Sequence, residues 1–178
     1  MTHSDGSARR LSLDASTLPL VRIASPANAA LARWLREATD RPTGRLWARR
    51  RVRIESQRCH PDLLERLHAL VHQLPDTTLR FVGGIPLVGH PGGVVFAMAA
   101  GQSWVMLRLP PHVHSVVVHS EWGNRGLTGD WVDVDPWLTD IEPHEALSRV
   151  RGWARAAYEY AGELAPPPRG TPRMPRRG

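Results

Sequence analysis

Apolar residues recur at helical spacing in three stretches of the chain. The first runs through Ala27, Ala30, Leu31, Trp34, Leu35 and Ala38. Ser25-Pro26 opens it, with Ser suited to the N-cap and Pro to the first helical position. Asp40-Arg41-Pro42-Thr43-Gly44 closes it. The second follows Pro61, with Leu63, Leu64, Leu67, Leu70, Val71 and Leu74 on one side of a helical wheel, and stops near Leu74-Pro75. The third, over residues 143–164, stacks Leu147, Val150, Trp153, Ala154, Ala157, Tyr158, Ala161 and Leu164 in one stripe. Arg149, Arg151, Arg155, Glu159 and Glu163 fall outside that stripe, as an amphipathic helix against a core requires.

Between the second and third stretches the period shortens. Thr78 to Val82 predicts a strand, and Gly83-Gly84 a turn or bulge. Gly89-His90-Pro91-Gly92-Gly93 predicts a loop. Residues 94–100, Val-Val-Phe-Ala-Met-Ala-Ala, are apolar at every position, the pattern of a central strand covered on both sides. Gly101-Gln102 turns the chain into a strand from Trp104 to Leu109, and Pro110-Pro111 stops it. Residues 112–122 read equally as strand, from Val116-Val117-Val118, or as a short helix after two prolines. Gly123 to Gly129 predicts a flexible loop, and Trp131 to Asp135 a half-exposed strand. Upstream, Val52 and Ile54 alternate with Arg51, Arg53 and Glu55, a short edge strand with one charged face.

These elements predict an α+β domain: a small antiparallel sheet, a β-meander, packed with flanking helices. Residues 1–20 and 165–178 are polar or Arg/Pro-rich and are expected to be disordered. Residues 21–164 form the single domain, with the principal core in 60–164. Phe96, Met98, Leu107, Leu147, Val150 and Ala154 are expected to meet there.

Charge refines the picture. All 23 basic residues are Arg, which a G+C-rich coding bias explains. Residues 1–59 carry +7, residues 60–164 carry −5, and residues 165–178 carry +4. A single cysteine, Cys59, excludes an internal disulfide and fits a reducing cytoplasm. No apolar run reaches the roughly 20 residues a membrane-spanning helix needs. A cytoplasmic protein without membrane association is the expectation.

Candidate chemistry is sparse. His68 and His72 lie one helical turn apart, a spacing that can bind zinc, and His112 and His114 are possible further ligands if their segment is a strand. Ala69 stands where a metalloprotease helix carries its glutamate, so a solvated polar face accounts for the pair and no metal is assigned. Cys59-His60 adjacency does not orient a base onto a thiol. Gly83-Gly84 and Gly92-Gly93 lie between strands, not before a helix, so turns explain them better than a phosphate loop. Asp133 and Asp135 share a strand face, with Asp140 and Glu142 nearby, and read as the exposed side of a half-buried strand. Trp34 and Trp153 fall on core-facing stripes and Trp104 and Trp131 on strands, while Trp47, Trp122 and Trp137 lie near loops or ends. Of these, Trp122 and Trp137 are candidate pocket residues, with core and rim packing the plainer reading. Arg45, Arg49, Arg50, Arg51 and Arg53 are candidate phosphate contacts for non-specific nucleic-acid binding. No catalytic residues and no cofactor are assigned.

The layout around Arg80, Gly83-Gly84, Gly93-Val94-Val95-Phe96-Ala97 and Leu107-Arg108-Leu109 resembles the N-terminal domain of the TfoX family and the related YjbR-like (MmcQ) proteins. The closing helix with Trp153, Ala156-Ala157 and Tyr158 is similar to theirs, so the resemblance spans residues 60–164. It implies a compact α+β fold with an antiparallel sheet, regulation or DNA binding as the function class, and no catalytic residues. The expectation is therefore a non-enzymatic binding or regulatory module, with a protein partner or nucleic acid. The alternatives are a nucleic-acid-associated protein using its Arg-rich flanks and a small-molecule or metal-dependent enzyme using His and Trp residues.

Overall fold

The computed structural model describes residues 25–40, 59–101, 104–127, 129–135 and 143–166. The strand expected near residues 51–55, the N-terminal 20 residues and the chain beyond residue 166 lie outside the described residues. Six strands form one antiparallel sheet: β1 (Thr78–Val82), β2 (Ile85–Gly89), β3 (Val95–Ala100), β4 (Trp104–Arg108), β5 (Gly123–Arg125) and β6 (Trp131–Val134). Among the described residues four α-helices flank it: α1 (Ala29–Asp40), α2 (Pro61–Val71), α3 (Pro111–Val118) and α4 (Pro143–Leu164). The class is α+β, as the hydrophobic pattern predicts.

Strands β1 to β4 are a meander, but the sheet does not continue in chain order. Its order is β1-β2-β3-β4-β6-β5, so β6 pairs with β4 and β5 lies at the edge. Residues 123–125, expected in a loop, instead pair with β6, Gly123 opposite Val134 and Arg125 opposite Val132. Gly-Asn-Arg has little strand propensity of its own. The adjoining β6 supplies the template, and the Cβ of any larger residue at position 123 would meet the Val117 side chain at 2.5 Å. The ambiguous segment after Pro110 is helix α3. Pro111 occupies its first turn, where a missing N–H costs nothing.

The β1–β2 hairpin turns on Gly83 and Gly84, with φ of 55° and 81°, conformations that a side chain disfavours. Strand β3 sits in the middle and is buried along its whole length. Its alternation is interrupted: Val88 pairs with Ala97, and Gly89 with Val95, leaving Phe96 as an extra residue in a bulge. The bulge changes the parity of everything before it. Phe96 therefore joins Ala97 and Ala99 on one face, while Met98 joins Val95 and Ala100 on the other. The expected grouping of Phe96 with Met98 is corrected accordingly.

On the Phe96 face lies the larger cluster. Leu63, Leu67 and Leu70 of α2, Val117 of α3, and Val150, Ala154, Ala157 and Ala161 of α4 close over Val105, Leu107, Val132 and Val134. Leu147 packs at its margin, half-buried. On the Met98 face, Leu31 and Leu35 of α1 cover Ile85, Leu87, Met106 and Trp131. Helix α1 is preceded by a short 3-10 turn, Pro26–Asn28; Ser25 stands at its N-cap, but its hydroxyl makes no capping bond. Strand β6 is covered on both sides: Trp131, Val132 and Val134 are buried and Asp133 is half-buried, a correction to the half-exposed expectation. No helix among the described residues is long and apolar enough to cross a membrane.

Candidate binding groove at the β1 edge

Strand β1 is one edge of the sheet, and α2 lies over the sheet beside it. Pro61 at the first helical position and His60 at the N-cap start α2; the His60 ring accepts from the Asp62 backbone N–H at 3.3 Å. The stripe of Leu63, Leu67 and Leu70 points into the core and sets the helix rotation. That rotation leaves Leu64, His68 and His72 on the flank that looks toward β1. Asp76, at φ 50°, turns the chain from the helix into the strand.

Between helix and edge is a cavity of about 210 Å³ lined by Leu64, Leu67, His68, Val71, His72, Thr77, Leu79 and Val88. Its floor is apolar and its rim carries two imidazoles, stacked with centroids 6.0 Å apart. His72 Nδ1 lies 3.0 Å from the Ala69 carbonyl. A carbonyl only accepts, so Nδ1 is the donor in this contact. Leu79 is 44% exposed, one of two large apolar side chains so exposed among the described residues; the other is Val116 on α3.

Among the described residues, no strand pairs with the backbone of β1 on the same side. Val82 and Ile85 flank a two-residue turn and form the first hydrogen-bonded pair of the hairpin. Arg80 opposite Leu87 and Thr78 opposite Gly89 follow at steps of two. The amides and carbonyls of Leu79 and Phe81 therefore face outward, away from β2. Both side chains lie on the groove face, since Leu79 pairs with Val88 and Phe81 with Pro86.

The other expected sites lie partly outside the described residues. Arg45, Arg49, Arg50, Arg51 and Arg53 lie outside the described residues, as do Trp47, Trp137, Asp140 and Glu142. Cys59 is half-buried beside Gly101, and burial pushes its thiol up to about 11, so the nucleophilic thiolate is disfavoured. His112 and His114 sit two apart on a helix, not a strand, and so do not share a face. Among the described residues no three His, Cys, Asp or Glu side chains come together as a metal site. Trp122 is buried in the larger cluster with the Arg149 guanidinium 5.2 Å from its ring centroid. Asp135 is exposed at the end of β6 and Asp133 half-buried within it.

Two polar arrangements have little sequence signal. The Asn28 amide, fully buried, donates to the Gly93 carbonyl and accepts from the Val95 N–H, both at 2.9 Å. Arg108 donates to Asp130 at 2.5 Å and to the Ala27 carbonyl at 2.8 Å. Together they fasten the start of α1 to the sheet. An apolar-periodic helix announces its stripe, but nothing in it announces the strand its first polar residue will meet.

No protein-family model, curated protein or solved structure matches this chain. The groove is thus read from its own geometry.

Proposed function

We propose that the chain is a non-enzymatic binding module whose interaction surface is the open edge of β1 and the groove beside it. The observation that carries the reading is Leu79: a large apolar side chain, 44% exposed, on an edge strand with unpaired peptide groups, bordering an apolar cavity. A strand that adds to such an edge gains main-chain hydrogen bonds and places alternate side chains in the groove. An enzyme reading has less support, because burial holds the one cysteine thiol protonated and, among the described residues, no three His, Cys, Asp or Glu side chains come together to hold a metal. The sequence layout that resembles the TfoX and YjbR-like domains is in keeping with a binding or regulatory role.

The test is to pan a random-peptide phage library against the full chain. Enriched peptides should alternate apolar and polar residues and shift the amide resonances of Leu79 and Phe81. Leu79→Glu should abolish their capture while leaving the fold intact. Enrichment of peptides that ignore Leu79→Glu, or no enrichment at all, overturns the reading.

A second reading rests on the charge map. The Arg-rich segments carry +7 and +4 around a −5 centre, and this supports electrostatic binding of nucleic acid through the flanks. A salt titration of duplex binding tests it: each phosphate contact contributes a slope of about −0.9, and no binding at low salt removes the idea.

A further inference from the structure

We infer that the strand that adds to β1 is the β1 of a second copy of this chain, paired antiparallel about a two-fold axis through Leu79. The inference rests on the proposed reading of the β1 groove as a binding surface and names its occupant. Two-fold pairing requires that outward-facing residues meet outward-facing residues, so Leu79 and Phe81 set the possible registers. One register places Leu79 opposite Phe81 of the other copy. It also sets Arg80 directly against Arg80, with two like charges at the closest cross-strand spacing, which is destabilising.

A register centred on Phe81 sets Leu79 against Gly83 in the hairpin turn, beyond the end of the strand. The remaining register places Leu79 opposite Leu79. Arg80 then faces Thr78 of the second copy, with the exposed Asp76 two residues further along, so opposite charges approach on both sides of the axis. On the groove face, Phe81 of each copy comes opposite Thr77 of the other. Thr77 lines the cavity together with His72 and Leu79. The half-buried Phe81 ring of one copy is thus delivered to the mouth of the apolar cavity of the other, twice per dimer. Charge selects the register, and the register supplies each groove with an aromatic side chain. The two six-stranded sheets become one continuous sheet, which also satisfies the open edge.

Sedimentation equilibrium of the full chain over a wide concentration range should show a monomer–dimer equilibrium. Leu79→Arg should weaken association about tenfold or more, because it puts two cations on the axis. Leu79 is exposed enough for that variant to fold, and circular dichroism checks that it does. Register is tested with chains in which Cys59 is replaced by Ser. Thr78→Cys mixed with Arg80→Cys in a glutathione redox buffer should give a disulfide-linked heterodimer, since facing residues at non-hydrogen-bonded positions lie about 4.5 Å apart between Cα atoms. Arg80→Cys alone should link far more slowly. A chain that is monomeric at every concentration, yet still captures phage peptides at Leu79, overturns the second copy and leaves the binding module standing. A chain that neither dimerises nor captures peptides overturns both. A dimer indifferent to Leu79→Arg, or linked equally well by Arg80→Cys alone, overturns this interface.

Discussion

Among the described residues, three helices bury a broad apolar cluster with few polar atoms in it on one face of the sheet; on the other, helix α1 is tied down at its first turn by Asn28 and Arg108. Apolar burial is strong but non-directional. It favours coverage of Phe96 and its neighbours without fixing which turn of a helix lies over which strand. On that face the match of shapes does the fixing, and the run Ala154, Ala157 and Ala161 lets α4 approach the central strands closely. A buried amide that satisfies one N–H and one C=O of the bulged strand is directional. It fixes the position of α1 where two leucines alone would not.

That contrast is broken most severely at its apolar centre. Phe96 is fully buried against Tyr158, with rings in an edge arrangement 5.6 Å apart. Phe96→Ala is expected to cost about 3–5 kcal/mol in urea melts, as lost transfer energy plus a cavity. A loss under about 1 kcal/mol would mean that the cluster collapses around the gap and is not tightly packed.

The second effect in size belongs to the polar face. Arg108 is 8% exposed and its guanidinium holds Asp130 and the Ala27 carbonyl together. Arg108→Met keeps the stem but removes the guanidinium's bonds to Asp130 and to the Ala27 carbonyl, and should cost about 2–3 kcal/mol. The double change Arg108→Met, Asp130→Asn should recover part of that loss. If the double variant is no better than the single one, the ion pair is not what Arg108 contributes.

How much of this was legible in the sequence follows the same division. Helices α2 and α4 and strand β3 are written in the hydrophobic pattern, because each buries a long apolar face and solvent sorts the rest. Residues 123–125 carry no such pattern; their pairing depends on β6, which comes later in the chain. The opposite placement of Phe96 and Met98 depends on a bulge, one extra residue whose only local signal is the glycine-rich loop before it. The groove was half legible. The His68/His72 spacing and the apolar stripe of α2 were visible, but the exposure of Leu79 requires knowing that β1 is an edge. The arginines of the 45–53 segment belong to residues the structure does not describe.

Asn28 sharpens the comparison further. Its replacement by Ala leaves the Val95 N–H and the Gly93 carbonyl without their partner and should cost about 1–3 kcal/mol. Asn28→Asp is the more telling variant. It keeps the acceptor for Val95 but turns a second acceptor toward the Gly93 carbonyl, so it should be at least as damaging as Ala above pH 5. Should Asp prove milder than Ala, the Gly93 bond is dispensable and the tie is a single hydrogen bond.

The smallest expected effect is a dependence on pH, carried by the packed helical face. His90 follows β2, with its ring centroid 4.6 Å from that of Tyr158 and its Nε2 close to Gly162 on α4. Partial burial holds its pKa below the usual histidine value. Its Nδ1 also accepts from the Gly92 N–H at 2.9 Å, a bond only an unprotonated nitrogen can accept. The unfolded chain takes up a proton at this residue as pH falls through about 6.5, whereas the native chain resists until a lower pH. Over that interval the unfolded state binds more protons, so stability rises with pH. The contribution of His90 is therefore fully present above about pH 6.5 and is lost as pH falls from there toward its native pKa. Tyr158 and Gly162 add no charge that would reverse the sign. His90→Gln should flatten the slope of stability against pH between about 7 and 5, while leaving stability at pH 8 nearly unchanged. Urea midpoints across that range check it. An unchanged slope in the variant would leave His90 as a packing residue only.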